Sequence, residues 1–88
     1  MLKRILEEDN YVILDVRTEE EYEEGHVVGS MNIPYDEIDA TIDIDKDKTV
    51  LVYCRSGRRS AIALETLTDL GFEVMDLGAF DDLDLEKE

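Results

Sequence analysis

The chain predicts an α/β fold with a mainly parallel central sheet flanked by helices. Two runs, Tyr11 to Val16 and Thr49 to Tyr53, are almost continuously apolar and rich in β-branched residues, as strands buried on both faces of a parallel sheet are. Helical spacing follows each run, and strands and helices alternate along the chain with no internal repeat and no linker. Residues 1–88 are long enough for one domain and leave no room for a second. A domain of this size buries about 60% of the surface its unfolded chain exposes.

The elements follow in order. Leu2 to Glu8 predicts a short helix with Leu2, Ile5 and Leu6 on one side, ended by Asp9-Asn10. After the first strand, Thr18 and Glu21 have the spacing of a capping box, which predicts a helix from about Glu19 to Glu24 stopped by Gly25. The loop from His26 contains a short extended piece near Met31 to Ile33, because Pro34 biases its predecessor away from helix. Tyr35 to Ala40 forms one or two helical turns. Thr41 to Lys48, with Asp43, Asp45, Lys46, Asp47 and Lys48, is an exposed polar turn before the strand that ends at Cys54. From Ser60 the apolar residues Ile62, Leu64, Leu67 and Leu70 have helical spacing, with Gly71 as the stop. Glu73 to Leu77 predicts a further strand, and the acidic segment Asp81 to Glu88 a frayed helix. In such a sheet a ligand sits beyond the carboxyl ends of the strands, so Asp15, Cys54 and Gly78 are expected around one crevice.

Composition excludes several functions. With 24 acidic against nine basic residues and a formal charge of −15, binding to nucleic acid or to an anionic membrane would oppose the overall field. No apolar stretch approaches the roughly 20 residues of a membrane span, and the start Met1 to Glu8 turns acidic too soon for a secretory signal. A lone cysteine allows no internal disulfide, and a free thiol persists best in a reducing compartment, which predicts a cytoplasmic protein. One cysteine and one histidine on distant segments are too few soft ligands for a metal, and the acidic run after Thr41 lacks the glycine and spacing of a calcium loop.

Cys54 is the candidate nucleophile. It stands where a strand ends and a helix is about to begin, and Arg55, Ser56, Gly57, Arg58, Arg59 and Ser60 follow it. The backbone N–H groups of such a turn converge on what lies above it, and the helix N-terminus adds about half a positive charge. Three of the nine basic residues fall in this loop of an otherwise acidic chain. These groups favour a thiolate and are expected to lower the thiol pKa. Read blandly, Cys54 is a small buried hydrophobe and the arginines a solvated loop; their concentration here argues for chemistry.

The segment Asp15-Val16-Arg17 with Glu21-Tyr22, Gly25-His26-Val27, Gly29-Ser30 and Asn32-Ile33-Pro34, together with the loop Cys54 to Ser60, resembles the rhodanese family. The resemblance is strongest over residues 11–78. It implies a rhodanese-like fold and a sulfurtransferase in which Cys54 accepts a sulfane sulfur as a persulfide held by the loop N–H groups. The sulfur would pass to cyanide or to a thiol such as thioredoxin, glutathione or another sulfur-carrying protein, with no cofactor. Attack on a sulfur–sulfur bond needs a thiolate and a leaving group able to carry its charge away, such as sulfite from thiosulfate. Arg55, Arg58 and Arg59 are suited to such a small anionic donor. Phosphatases and arsenate reductases of the same fold place five residues between nucleophilic Cys and Arg; here that position is Ser60 and the arginine falls one earlier, at Arg59. The shorter loop favours sulfur over phosphate. A sulfur carrier or delivery module for a protein partner, with low activity on small donors, is the alternative. Many rhodanese domains follow the last core strand with two glycines and a tryptophan, where this chain has Leu77-Gly78-Ala79-Phe80 with Phe80 as the apolar cover.

The remaining polar residues read as support. Asp15 either anchors the loop by accepting backbone or arginine hydrogen bonds or caps its strand. Arg17 and Glu21, at i,i+4 spacing across a helix start, are expected to meet. His26 lacks the orienting partner of a cysteine protease and reads as structural. Arg55 and Arg58, early in the loop, are expected at the mouth, and Arg59 to brace the loop through Asp15 or another carboxylate.

Overall fold

The computed structural model describes residues 2–8 and 10–88. The helix end assigned to Asp9 and the orientation assigned to Leu2 fall outside what it describes. The elements are α1 (Leu2–Glu8), β1 (Tyr11–Asp15), α2 (Glu19–Glu24), β2 (Met31–Asn32), a 3₁₀ turn at Tyr35–Glu37, β3 (Thr49–Cys54), α3 (Arg58–Asp69), β4 (Glu73–Ala79) and a second 3₁₀ turn at Phe80–Asp82. The four strands lie in the order β2-β1-β3-β4, and every pair is parallel. From β1 the chain goes to one side for β2 and to the other for β3. The strand order therefore reverses beside the carboxyl ends of β1 and β3, where crevices form in sheets of this kind.

The period of two along each strand divides the core into two layers. Val12, Leu14, Val50, Val52 and Cys54 pack with Ala63 and Leu67 of α3 and with Phe72. Tyr11, Ile13, Leu51 and Tyr53 pack on the other face with Ile5, Leu6, Val27, Phe80 and Leu83. Leu14, Leu51 and Leu67 are fully buried, each worth about 1.5–3 kcal/mol relative to exposure. Among the described residues no helix is long and apolar enough to cross a membrane.

The capping box at Thr18 forms as expected. Its side chain accepts from the Glu21 N–H while the Glu21 carboxylate accepts from the Thr18 N–H. The segment 35–40 makes one turn, the 3₁₀ turn Tyr35–Glu37, within the expected one or two. Three expectations are corrected. Helix α3 starts at Arg58, two residues before Ser60, because Gly57 supplies its cap in a left-handed conformation (φ 96°). Strand β4 runs through Gly78 to Ala79, which pairs with Cys54, and the extra residue is absorbed by a register shift between Val52 and Tyr53. The acidic tail is not a helix: after the turn at Phe80–Asp82 it is irregular, with a bend at Leu85 and Lys87 bridging antiparallel to Val27. Leu83 and Leu85 hold it by packing on the Tyr53 layer.

Candidate active site

Cys54 is the last residue of β3 and points toward α3, and it is completely buried. The following loop folds back over the sulfur. The Gly57 N–H donates to Sγ at 2.9 Å, and the thiol lies 3.5 Å from the Ser60 hydroxyl, which donates to the Gly57 carbonyl at 3.0 Å. Only a residue with positive φ turns the Gly57 N–H inward while starting a helix at Arg58, so glycine is required here. Gly78 is also left-handed (φ 87°), and its Cα lies 4.0 Å from where a Gly57 side chain would begin. The loop and the end of β4 therefore close against each other.

Burial raises the Cys54 thiol pKa, but the hydrogen bond with the Ser60 side chain and those from the N–H groups of Ser60, Gly57 and Ser56 outweigh it, and the net shift is downward. The direction agrees with the sequence expectation, and the hydrogen bonds of the loop carry it. Alkylation should therefore stay fast as pH falls below the ordinary thiol range of about 8.5. A rate following that ordinary range in a pH series with iodoacetamide would show that the loop does not activate the sulfur.

The contacts of Arg59 set it apart from Arg55 and Arg58. Arg55 and Arg58 are exposed, and Arg55 lines a pocket of about 270 Å³. Arg59 makes a two-pronged contact with Glu21, at 2.7 and 3.0 Å, and so ties α3 to α2. The carboxylate is Glu21, not Asp15. The Arg59 guanidinium is the main cause that holds the Glu21 carboxyl at about 2, below its usual 4.5. A depressed acid stabilises the fold above its unfolded pKa, and this support is lost as pH falls from about 4.5 toward 2. Arg59→Ala should lower the melting temperature, while Arg55→Ala and Arg58→Ala should leave it little changed, and equal shifts at all three positions would contradict the division.

Asp15 and Arg17 form a separate buried unit. The Asp15 carboxylate accepts from the Arg17 N–H at 2.9 Å, from its Nε at 3.0 Å and Nη2 at 2.6 Å, and from the Tyr53 hydroxyl at 2.7 Å. Arg17 thus pairs with Asp15 and with the Gly25 carbonyl, in place of the hydrogen bond expected with Glu21. Nor does Asp15 hold the Cys54 loop. Asp15 is in register with Tyr53, so its side chain lies on the sheet face opposite Cys54. The three strand ends are neighbours, as expected, while Asp15 and Cys54 face apart. Burial comes first among the causes that push the Tyr53 hydroxyl up to about 12, and this keeps it a proton donor to Asp15.

Arg17 reaches the same pocket as Arg55, with the Phe80 ring 4.4 Å from its guanidinium carbon. Phe80 also stacks on Tyr53, and so takes the covering place assigned to it from the sequence. Glu21, Glu24 and Asp81 supply carboxylates to the pocket. These three were not singled out as site residues, and their proximity to Arg55 has no local sequence signal. His26 is structural: its ring stacks on Tyr22, and its nitrogens meet the Tyr22 carbonyl and Glu88.

A parallel α/β sheet with a buried cysteine at a strand end, enclosed by a loop of inward N–H groups, defines a class of thiol-bearing domains. The Rhodanese-like domain family model matches residues 1–81, and the chain belongs to that family. It is 41% identical over 78 residues to the thiosulfate sulfurtransferase PspE of Escherichia coli, spanning 84% of this chain and 75% of PspE. It is 37% identical over 67 residues to a tRNA sulfurtransferase of Pyrobaculum aerophilum, spanning 75% of this chain but 14% of that protein. Among solved structures, the rhodanese with anions from E. coli aligns with a TM-score of 0.81 at 39% identity, covering 89% of this chain and 96% of the other.

Proposed function

We propose that residues 1–88 form one rhodanese-like sulfurtransferase domain, in which Cys54 takes a sulfane sulfur from thiosulfate or a persulfide and passes it to a thiol or to cyanide. The single observation that carries this is the Cys54 sulfur, set under a loop whose Gly57 N–H and Ser60 hydroxyl lower its pKa. The thiolate attacks the sulfane sulfur, a Cys54 Sγ–S bond forms, and sulfite leaves with the electron pair of the broken S–S bond. Arg55 and Arg58, exposed beside the loop, bind the anionic donor. The E. coli rhodanese with anions, of the same fold at 39% identity, is consistent with an anion site of this kind. A reducing compartment such as the cytoplasm keeps the thiol free between turnovers.

Turnover of thiosulfate with cyanide, compared with aryl phosphates and arsenate, tests the assignment. Thiosulfate should be strongly preferred, since Ser60 stands where the phosphatase arginine would. Efficient, Cys54-dependent phosphatase turnover would replace it. A second reading, delivery of sulfur to a protein partner, is favoured by the likeness to a short part of the much longer tRNA sulfurtransferase. Faster discharge of the loaded domain to thioredoxin than to cyanide would support that reading.

A further inference from the structure

The pocket beside the Cys54 loop carries charges of both signs. Two of its charged residues are already matched: Arg17 pairs with Asp15 at 2.6 Å and Glu21 with Arg59 at 2.7 Å. Three exposed charges are left, the cation Arg55 and the carboxylates Glu24 and Asp81, and among the described residues none of them enters a salt bridge. A molecule bearing one carboxylate and one ammonium group meets a partner for each.

We propose that this pocket selects α-amino-acid thiols as the small acceptor of sulfur from Cys54, with Arg55 facing the carboxylate and Glu24 and Asp81 the ammonium. The proposal rests on the sulfurtransferase reading and adds the acceptor's class and the residues that choose it. Once ionised, with its proton released to solvent, the acceptor thiol attacks the outer sulfur of the Cys54 persulfide. A new S–S bond forms on the acceptor, the Cys54 Sγ–S bond breaks, and its electron pair stays on Cys54 as thiolate. The Gly57 N–H, 2.9 Å from the sulfur, stands to receive that charge. No further oxidant or reductant enters.

The test is discharge of the full chain, loaded beforehand with one sulfur from thiosulfate and followed by mass spectrometry, into three thiols. Cysteine carries both groups, cysteamine only the ammonium, and 3-mercaptopropionate only the carboxylate. Comparing each variant with wild type for the same thiol cancels the thiol's intrinsic reactivity. The double variant Glu24→Gln/Asp81→Asn should slow discharge to cysteine and cysteamine on the order of fivefold, as expected for two exposed charge pairs, and speed discharge to 3-mercaptopropionate. Arg55→Gln should slow cysteine and 3-mercaptopropionate and speed cysteamine. Both contrasts should shrink as salt rises. The same variant-to-wild-type ratio for all three thiols would overturn the proposal while the observed loading upheld the sulfurtransferase reading. Failure of thiosulfate and of inorganic polysulfide to load Cys54 at all would overturn both.

Discussion

Cys54→Ser should abolish sulfur loading completely. Incubation with thiosulfate should add the mass of one sulfur atom to the wild-type chain and nothing to the variant, because the chain has no other cysteine. The substitution is nearly isosteric, and the serine oxygen can accept from Gly57 N–H as the sulfur does, so the fold should persist. The alkoxide needed for attack is far less accessible than a thiolate, and an O–S bond would not exchange with thiols. The loss should therefore appear with an unchanged circular dichroism spectrum and a similar urea midpoint. A sulfur adduct surviving in Cys54→Ser would remove Cys54 from the chemistry.

Asp15→Ala should cost more stability than any other single change in the polar interior. Asp15 is fully buried, and the Arg17 side chain it neutralises is only 6% exposed. Removing one partner of a buried ion pair costs about 3–5 kcal/mol, since the remaining charge has lost its counterion without regaining water. Native domains are stable by about 0.05–0.15 kcal/mol per residue, about 4–13 kcal/mol for a chain of 88, so the substitution should remove a large part of the total and lower the urea midpoint strongly. The Tyr53 hydroxyl would lose its acceptor as well. A second substitution separates unpaired charge from lost packing: Asp15→Leu with Arg17→Met should recover much of the loss, because both charges are gone. Urea midpoints for the three proteins decide it. An Asp15→Ala midpoint within experimental error of wild type would show that Arg17 finds solvent or another partner.

The residue pattern alone determined the local features. The strands at Tyr11 and Thr49 were legible because burial on both faces demands unbroken apolar runs. The capping box at Thr18 and Glu21 was legible because its partners are three residues apart. Cys54 stood out because a strand end, a glycine and an arginine cluster meet within seven residues. The tail from Asp81 to Glu88 was misread, since its many charges suggested a solvated helix while two spaced leucines had an apolar layer to cover.

Only the tertiary structure decided which charge meets which. Glu21 and Arg59 are 38 residues apart, and they pair because α2 and α3 begin just past the carboxyl ends of the neighbouring strands β1 and β3. Asp15 turned from the Cys54 loop to Tyr53 because strand register brings residues 15 and 53 level, and the pleat places both on the face away from Cys54. The mixed charge of the pocket likewise joins α2, the loop after β3 and the turn after β4. Hydrogen bonds and apolar periodicity repeat over two to four residues and leave their mark in the sequence. Long-range charge pairing depends on register and on the packing of whole elements, which no local window of residues contains.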